Sequence, residues 1–307
     1  MILDPFGPNR KRLLGLAYRM LGSRAEAEDV LQDAWLRFNA VRDVGNRDAL
    51  LTTIVTRLCL DRLKSARARR EVYVGPWLPE PVMDGDALSP DTATELADDL
   101  SFALLIALER LTPAERAAFL LHDVFDMPFA EVSAVLERNE AACRQLASRA
   151  RKAVQAQRPS SRPSAEAHSR LLAAFGMATI SGNVDALARL FHEDAVLLAD
   201  GGGKVTTALN PIRGADRIAR FFVGVLRKFG GDMQELRAEV TAFNGQPGIA
   251  TWSGERIDQV LTIATDGERI SAVYVVRNPE KLALLQSSGA LQPADRAMQL
   301  RSGLSFP

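Results

Sequence analysis

Two proline-rich stretches divide this chain and limit what it can fold into. Residues 72–94 contain Gly75-Pro76-Trp77-Leu78-Pro79-Glu80-Pro81, then Asp84, Gly85, Asp86, Ser89, Pro90 and Asp91. Proline lacks an amide donor and its ring clashes with the preceding helical turn, so no continuous helix crosses this segment. Residues 158–164, Arg158-Pro159-Ser160-Ser161-Arg162-Pro163-Ser164, form a second linker. A chain of 307 residues broken in this way reads as several compact units rather than one.

Before the first linker, residues 10–70 carry helical spacing. Leu13, Leu14, Ala17, Tyr18 and Leu21 recur on one face, and Gly22 can end that helix. Ser23 and Glu26 form a capping-box pattern at the start of the next. There Val30, Leu31, Ala34, Trp35 and Phe38 share a side, while Glu28, Asp29, Gln32 and Asp33 lie largely elsewhere. A turn at 42–46 precedes a third helix with Leu50, Leu51, Ile54, Val55, Leu58 and Leu63, expected to fray across residues 64–70.

Between the linkers, residues 95–155 are helical again. Thr112, Pro113 and Glu115 mark a strong helix start. Shorter helices are expected near 129–137 and 140–155, separated by a tight turn at Arg138-Asn139. This is the layout of a helix-turn-helix. Its last helix begins at Glu140 and carries Arg144, Gln145, Arg149, Arg151 and Lys152. Such a helix fits a major groove about 12 Å wide, its N-terminal part meeting base edges and its basic end the phosphates. A plain helical hairpin with a solvated basic face fits the same spacing. A second basic run, Arg57, Arg62, Lys64, Arg67, Arg69 and Arg70, could track a phosphate backbone or simply be a solvated helix end. Two basic modules on a flexible linker favour DNA, because weak contacts on one duplex reinforce each other. The formal net charge is zero, so any such charge is local.

After the second linker the pattern mixes types. Helices are expected at 165–181, 184–191 and 214–229, and strands near 195–198, 236–243, 248–253, 257–265 and 270–277. Asn244-Gly245 and Asp266-Gly267 are hairpin-type turns. Helices followed by a meander suggest an α+β domain with a curved sheet.

The order and extent of these patterns resemble a known family. LLGLAYRMLGSRAEAEDVLQDAWLRF and ALLTTIVTRLCLDRLKSARARRE resemble region two of an extracytoplasmic-function (ECF) sigma factor, and LTPAERAAFLLHDVF with EAACRQLASRARKAV resemble region four. Trp77-Leu78-Pro79-Glu80-Pro81, Asp200-Gly201-Gly202-Gly203-Lys204 and Asn278-Pro279-Glu280-Lys281-Leu282 are similar to signatures of the SigJ-like subgroup, which carries a fused SnoaL-like C-terminal domain. That subgroup more often has Arg at the position of Lys204 and Asp at that of Glu280. The resemblance implies a multidomain chain: two all-α modules (6–71 and 95–157, the second a helix-turn-helix), linkers at 72–94 and 158–164, a SnoaL-like α+β domain at 165–285 and a tail at 286–307.

The resemblance also implies roles. Glu28, Asp29, Gln32 and Asp33 would dock on core RNA polymerase. Arg57, Arg62, Lys64, Arg67, Arg69 and Arg70 would hold the promoter's minus-ten element, and Arg138, Asn139, Glu140, Arg144, Gln145, Arg149 and Arg151 its minus-thirty-five element. The chain would have no catalytic residue and no cofactor. Control would come from its own C-terminal domain in cis, through Trp77, Leu78 and Pro79 of the linker and Asp200, Gly201, Gly202, Gly203, Lys204, Asn278, Pro279 and Lys281 of the domain. A small-molecule effector stays open as a partner. Trp77 and Leu78 are large apolar groups in a loop and gain by docking; the alternative is that Trp77 tucks onto its own helical module.

Competing signals are weaker. Gly201–Thr206 has the look of a phosphate loop, but a strand rather than a helix is expected to follow. His192-Glu193-Asp194 lacks a second histidine at ligand spacing and is expected in a helix-end turn, so no metal is expected. SnoaL-like folds also host isomerases and cyclases with a carboxylate base, and Asp194, Asp200, Trp252 and Tyr274 could line such a pocket. The remaining alternatives are therefore an isomerase-like enzyme with a helical appendage and a helix-turn-helix regulator that senses a ligand. Cys59 and Cys143 lie far apart in helical segments, there is no signal-peptide pattern, and the most apolar run, Phe102–Leu108, is too short to cross a bilayer. A soluble, cytoplasmic protein without a membrane partner is expected.

Overall fold

A computed structural model of the chain describes residues 6–7, 9–41, 45–83, 88, 100–156, 163–229, 236–287 and 298–299, and only the backbone of 66–71, 229, 236, 287 and 298–299. It divides into two compact units, Met1–Val72 with Asp84–Arg158, and Tyr73–Met83 with Pro159–Pro307. The linker residues 73–83 thus belong to the second unit, although in sequence they stand between the two helical modules. Residues 84–87, 89–99, 157–162 and most of the 286–307 tail lie outside the described residues.

Among the described residues, the regular elements of the first unit are all helices. Helix α1 (Asn9–Leu21) buries Leu13, Leu14, Ala17, Tyr18 and Leu21, and stops where Gly22 turns left-handed at φ 70°. Helix α2 (Arg24–Asn39) starts on Ser23, whose hydroxyl accepts from the Glu26 amide, and buries Val30, Leu31, Ala34 and Phe38. Trp35 stays half-buried, stacked on Phe38. Helix α3 spans Arg47–Glu71. The expected fraying over 64–70 does not occur: Lys64, Ala66, Ala68 and the arginines are strong helix formers, and no Gly or Pro interrupts them.

Helix α4 spans Phe102–Glu109, and residues 95–99, expected to be helical, lie outside the described residues. Helix α5 (Pro113–Phe119) opens on a full capping box between Thr112 and Glu115 and runs into a π-helical turn at Leu120–Val124. Helices α6 (Phe129–Leu136) and α7 (Glu140–Gln155) follow. Glu137 ends α6 at φ 53°, taking the left-handed position that glycine often fills in such turns, and the Asn139 side chain caps α7. The two modules share buried contacts: Arg116 of α5 is 2% exposed, donates to the Met20 carbonyl at 2.5 Å and pairs with Glu109 at 2.7 Å.

The second unit is α+β. Helices α8 (Ala165–Ile180), α9 (Val184–Arg189) and α10 (Ala215–Phe229) accompany strands β1 (Phe191–Asp200), β2 (Ile212–Arg213), β3 (Leu236–Phe243), β4 (Gln246–Ser253), β5 (Arg256–Thr265) and β6 (Ile270–Val276). Helix α11 (Pro279–Ser287) and strand β7 (Met298–Gln299) complete it. The sheet order is β2-β1-β6-β5-β4-β3-β7, with β1 and β6 parallel and the other neighbours antiparallel. Strand alternation gives the sheet two unlike faces. Leu197, Ala199, Leu261, Ile263, Val273 and Val275 pack on Leu172, Phe175, Ile218 and Val223 of the helices. Asp200, Trp252, Thr262 and Tyr274 are registered on the opposite face.

Three expectations are corrected here. His192, Glu193 and Asp194 lie in β1 rather than in a helix-end turn, because β1 starts at Phe191 and pairs with β6 from Ile270. Residues 205–211 form a loop, not the strand expected after the glycines. Asp194 is exposed near the start of β1 and Asp200 fully buried at its end, so they do not line one pocket with Trp252 and Tyr274.

Candidate nucleic-acid interface and linker-docking site

Helix α7 turns Leu146, Ala147, Ala150 and Val154 inward and leaves Arg144, Gln145, Arg149 and Lys152 exposed. Its basic residues are not equivalent. Arg144 pairs with Glu140 at 2.6 Å one turn back and lies 5.2 Å over the Phe129 ring, which stiffens an exposed guanidinium near the helix start. Gln145 is exposed beside it. Asn139 uses its side-chain oxygen to cap the Ala142 amide at 2.8 Å, and Arg138 is exposed. Arg149 and Arg151 reach back into the module, to Glu115 at 2.8 Å and to Asp123 at 2.8 and 2.5 Å.

On α3, Arg57 donates to the carbonyls of Ala134 and Val135 at the end of α6 and pairs with Glu137 at 2.9 Å. Arg62 faces α2, where it donates to the Glu26 carbonyl and bridges Asp33 at 2.9 Å and Asp29 at 3.7 Å. One residue expected on the DNA face therefore organises two expected on the polymerase face. Lys64 is exposed and pairs with Asp61. The side chains of Arg67, Arg69 and Arg70 lie outside the described residues. Around Asp29, Gln32 and Asp33, Leu36 is 65% exposed. It falls outside the buried register 30, 31, 34, 38, a signal that could have singled it out.

In the second unit, the linker docks on its own domain. The centre is Asp200, 0% exposed at the end of β1. One carboxylate oxygen accepts from the Tyr73 hydroxyl at 2.6 Å and the Gly202 amide at 3.0 Å. The other accepts from the Leu78 amide at 2.8 Å and the Lys281 ammonium at 2.7 Å. Lys281, itself buried, also donates to the Leu78 carbonyl and sits 4.1 Å over the Trp77 ring and 5.2 Å over that of Tyr73. A buried ion pair is favourable only when the remaining donors and acceptors are met, and here four donors meet the carboxylate. Burial, then the hydrogen bond to Asp200, pushes the Tyr73 phenol above its usual range, so it acts as a neutral donor.

The glycines are needed for space. Gly202 is left-handed at φ 62°, and a Cβ there would lie 2.4 Å from the Asn278 amide nitrogen. Gly203, at φ 71°, would put a Cβ 3.1 Å from Val74 of the linker. Asn278 uses one end of its side chain to cap Glu280 at the start of α11 and the other to donate to Tyr73. Lys204 pairs with Glu280. Arg277 ties the loop down through the Thr206 carbonyl and Asp258. All three sequence signatures thus meet in one site, where Lys281 lies over the Trp77 ring. Sequence reasoning missed Tyr73, which lies just before the linker motif, and Asn244, read only as a turn residue. Asn244 holds Val82 from the β3–β4 turn.

Among the described residues, no cluster of His, Cys, Asp or Glu is arranged to hold a metal, and no helix is long and apolar enough to cross a membrane. Both cysteines are buried and free.

Residues 6–69 match the family profile for sigma-70 region 2, and residues 101–154 that for sigma-70 region 4. The chain is 40% identical over 292 residues to the ECF RNA polymerase sigma factor SigJ of Mycobacterium tuberculosis, covering 92% of this chain and 93% of that one. It is 31% identical over 287 residues to a probable ECF sigma factor, SigI, of the same species, covering 91% and 94%. The crystal structure of the M. tuberculosis SigJ protein matches with a TM-score of 0.71 at 37% identity, over 89% of this chain and 95% of that one. The second unit accordingly has a SnoaL-like fold.

Proposed function

Since the chain belongs to the ECF family of RNA polymerase sigma factors, with promoter recognition and transcription initiation as its work, we propose that its SnoaL-like domain controls that work in cis by holding the linker between regions two and four. The observation that carries this reading is the buried Asp200–Lys281 pair, which takes both main-chain groups of Leu78 and covers its charge with Trp77. A linker held at Tyr73–Leu78 has fewer free residues between the two DNA-reading modules. That shortens the reach of region four and raises its effective concentration at one upstream spacing.

In this reading Asp29, Gln32, Asp33 and Leu36 face the core polymerase, with Arg62 holding the two carboxylates in position. Helix α3 and its preceding loop hold the minus-ten element, and Arg144 and Gln145 read the minus-thirty-five element. The polymerase does the chemistry. A ligand-sensing regulator of another polymerase form would need a second sigma factor, whereas this protein initiates with core polymerase alone.

Multi-round transcription with purified core polymerase tests both points. Full-length protein is expected to initiate without any other sigma factor, and Lys281→Met is expected to change initiation at its promoter at least about threefold. Dependence on a second sigma factor would sink the first point. Unchanged initiation with Lys281→Met, in a protein whose linker is shown by limited proteolysis to be released, would sink the second.

A further inference from the structure

We infer that Asn244, the first residue of the β3–β4 turn, is a second linker latch, independent of the Asp200–Lys281 centre, which fixes the point where the chain leaves the domain toward region four. The inference deepens the proposed control by linker docking and rests on it for its consequence in transcription, though not for the latch itself.

The ordinary reason for Asn-Gly at this position is the turn. Asn244 and Gly245 have φ 54° and 72°, the pair of left-handed residues that a two-residue hairpin requires. That accounts for the backbone but not for the side chain or the burial. A hairpin tip normally faces water, yet Asn244 is 1% exposed. Its amide donates to the Val82 carbonyl at 2.7 Å, and its side-chain oxygen accepts from the Val82 amide at 3.1 Å. One residue therefore takes both main-chain groups of Val82, as a neighbouring strand would. Val82 is 4% exposed, so neither group can turn to water instead.

The linker sequence is built for two such points. Pro79 and Pro81 have no amide hydrogen, and both are buried. The amides just outside this pair, Leu78 and Val82, are each met by a side-chain oxygen, from Asp200 and Asn244. Prolines and the residues before them favour extended conformations, so the span from 78 to 82 is a stiff strut of about 13 Å. A strut held at one end pivots; held at both, it has a fixed direction. Stiffness also lowers the entropy lost on docking. Asn244 thus fixes the place and direction in which the chain leaves the domain at Val82.

Hydrogen exchange on the full-length protein tests the latch. Asn244→Gly keeps a left-handed turn and removes the side-chain acceptor; Asn244→Asp keeps both. Val82→Pro removes the donor from the linker side without touching the turn. Asn244→Gly is expected to speed exchange at the Val82 amide about 3- to 10-fold, a hydrogen bond's worth, with the Leu78 amide and domain melting little changed. Asn244→Asp is expected to keep Val82 protected. Unchanged Val82 exchange in Asn244→Gly would overturn the latch. In transcription with core polymerase, Asn244→Gly and Val82→Pro are each expected to flatten the dependence of initiation on the spacing between upstream and downstream promoter elements. A released Val82 with the same spacing dependence as the parent would overturn control by linker docking and leave the latch standing.

Discussion

Lys204 and Glu280 form an ion pair that joins the glycine turn after β1 to the first turn of α11. In the sequence signatures, these are the two positions expected to differ from the resembling subgroup, Lys where Arg is more common and Glu where Asp is. Lysine ends in a compact ammonium rather than a planar fork, and glutamate reaches one methylene further than aspartate. The departures therefore fall on the two ends of one contact and keep its sign. Both side chains are largely exposed, 47% and 69%. An exposed pair is worth about 0–1 kcal/mol. Lys204→Ala is expected to lower the melting stability of the domain within that range and leave linker docking intact. A full loss of Leu78 amide protection in Lys204→Ala would show that this pair, not Asp200, anchors the linker.

The neighbouring pair behaves differently because it is buried. Asp200 is fully enclosed and Lys281 is 9% exposed in its side chain. Removing one partner leaves the other as an uncompensated buried charge, a loss of about 3–5 kcal/mol. Lys281→Met and Asp200→Asn are each expected to destabilise the second unit by about that amount in urea unfolding. The double variant Asp200→Asn/Lys281→Met is expected to be less destabilised than the sum of the two, because no orphaned charge remains. Strict additivity would mean that the two groups act independently.

In the helix-turn-helix, basic residues on one helix divide by their partners. Arg144 and Gln145 face outward near the start of α7, while Arg151 donates from both Nε and Nη2 to Asp123, whose side chain is 13% exposed. Arg144→Ala or Gln145→Ala is expected to weaken binding to the upstream element by about 1–3 kcal/mol for each good bidentate base contact, with little loss on other sequences. Arg151→Ala is expected instead to destabilise the first unit by about 1.5–3 kcal/mol and to lower binding to all sequences alike. Quantitative binding to the upstream element and to a scrambled duplex, beside urea melts, separates the two outcomes. A sequence-selective loss in Arg151→Ala would return that residue to the reading surface.

The helical half was legible because its signals are local. Thr112-Pro113-Ala114-Glu115 states a helix start in four residues, and the spacing of α2 states its buried face. The strands after residue 236 were legible from alternation and from Asn244-Gly245. What the sequence concealed is long-range. Nothing near Asp200 reveals that its partners are Tyr73 and Leu78, more than a hundred residues earlier, and Lys281, eighty-one later. The family signatures named most of that site without giving its geometry. Asn244 stayed hidden because its turn preference already explained it. Charge pointed to Arg62 and Arg151 but not to the aspartates of their own unit that each holds, Asp33 and Asp123.

One group in the second unit links stability to pH. His168 of α8 is 3% exposed, with its Nε2 unpartnered and a hydrogen bond to the Pro247 backbone. Burial holds its pKa below the ordinary histidine value, with the Pro247 contact opposing in part. In the unfolded chain the ring takes up a proton near pH 6.5, whereas in the folded domain it resists until lower pH. The unfolded state therefore binds more protons in the window from about 6.5 down to the folded value, and stability falls as pH falls through that window. Above it, His168 contributes no pH dependence. Below it, the loss is complete and levels off. His168→Phe keeps an apolar ring of similar size and removes the proton. Urea unfolding at pH 7.5, 6.5 and 5.5 is expected to show a shallower acid loss in His168→Phe than in the parent, with the two curves converging toward low pH if the phenylalanine costs packing at neutral pH. Parallel curves across the series would assign the acid sensitivity to groups other than His168.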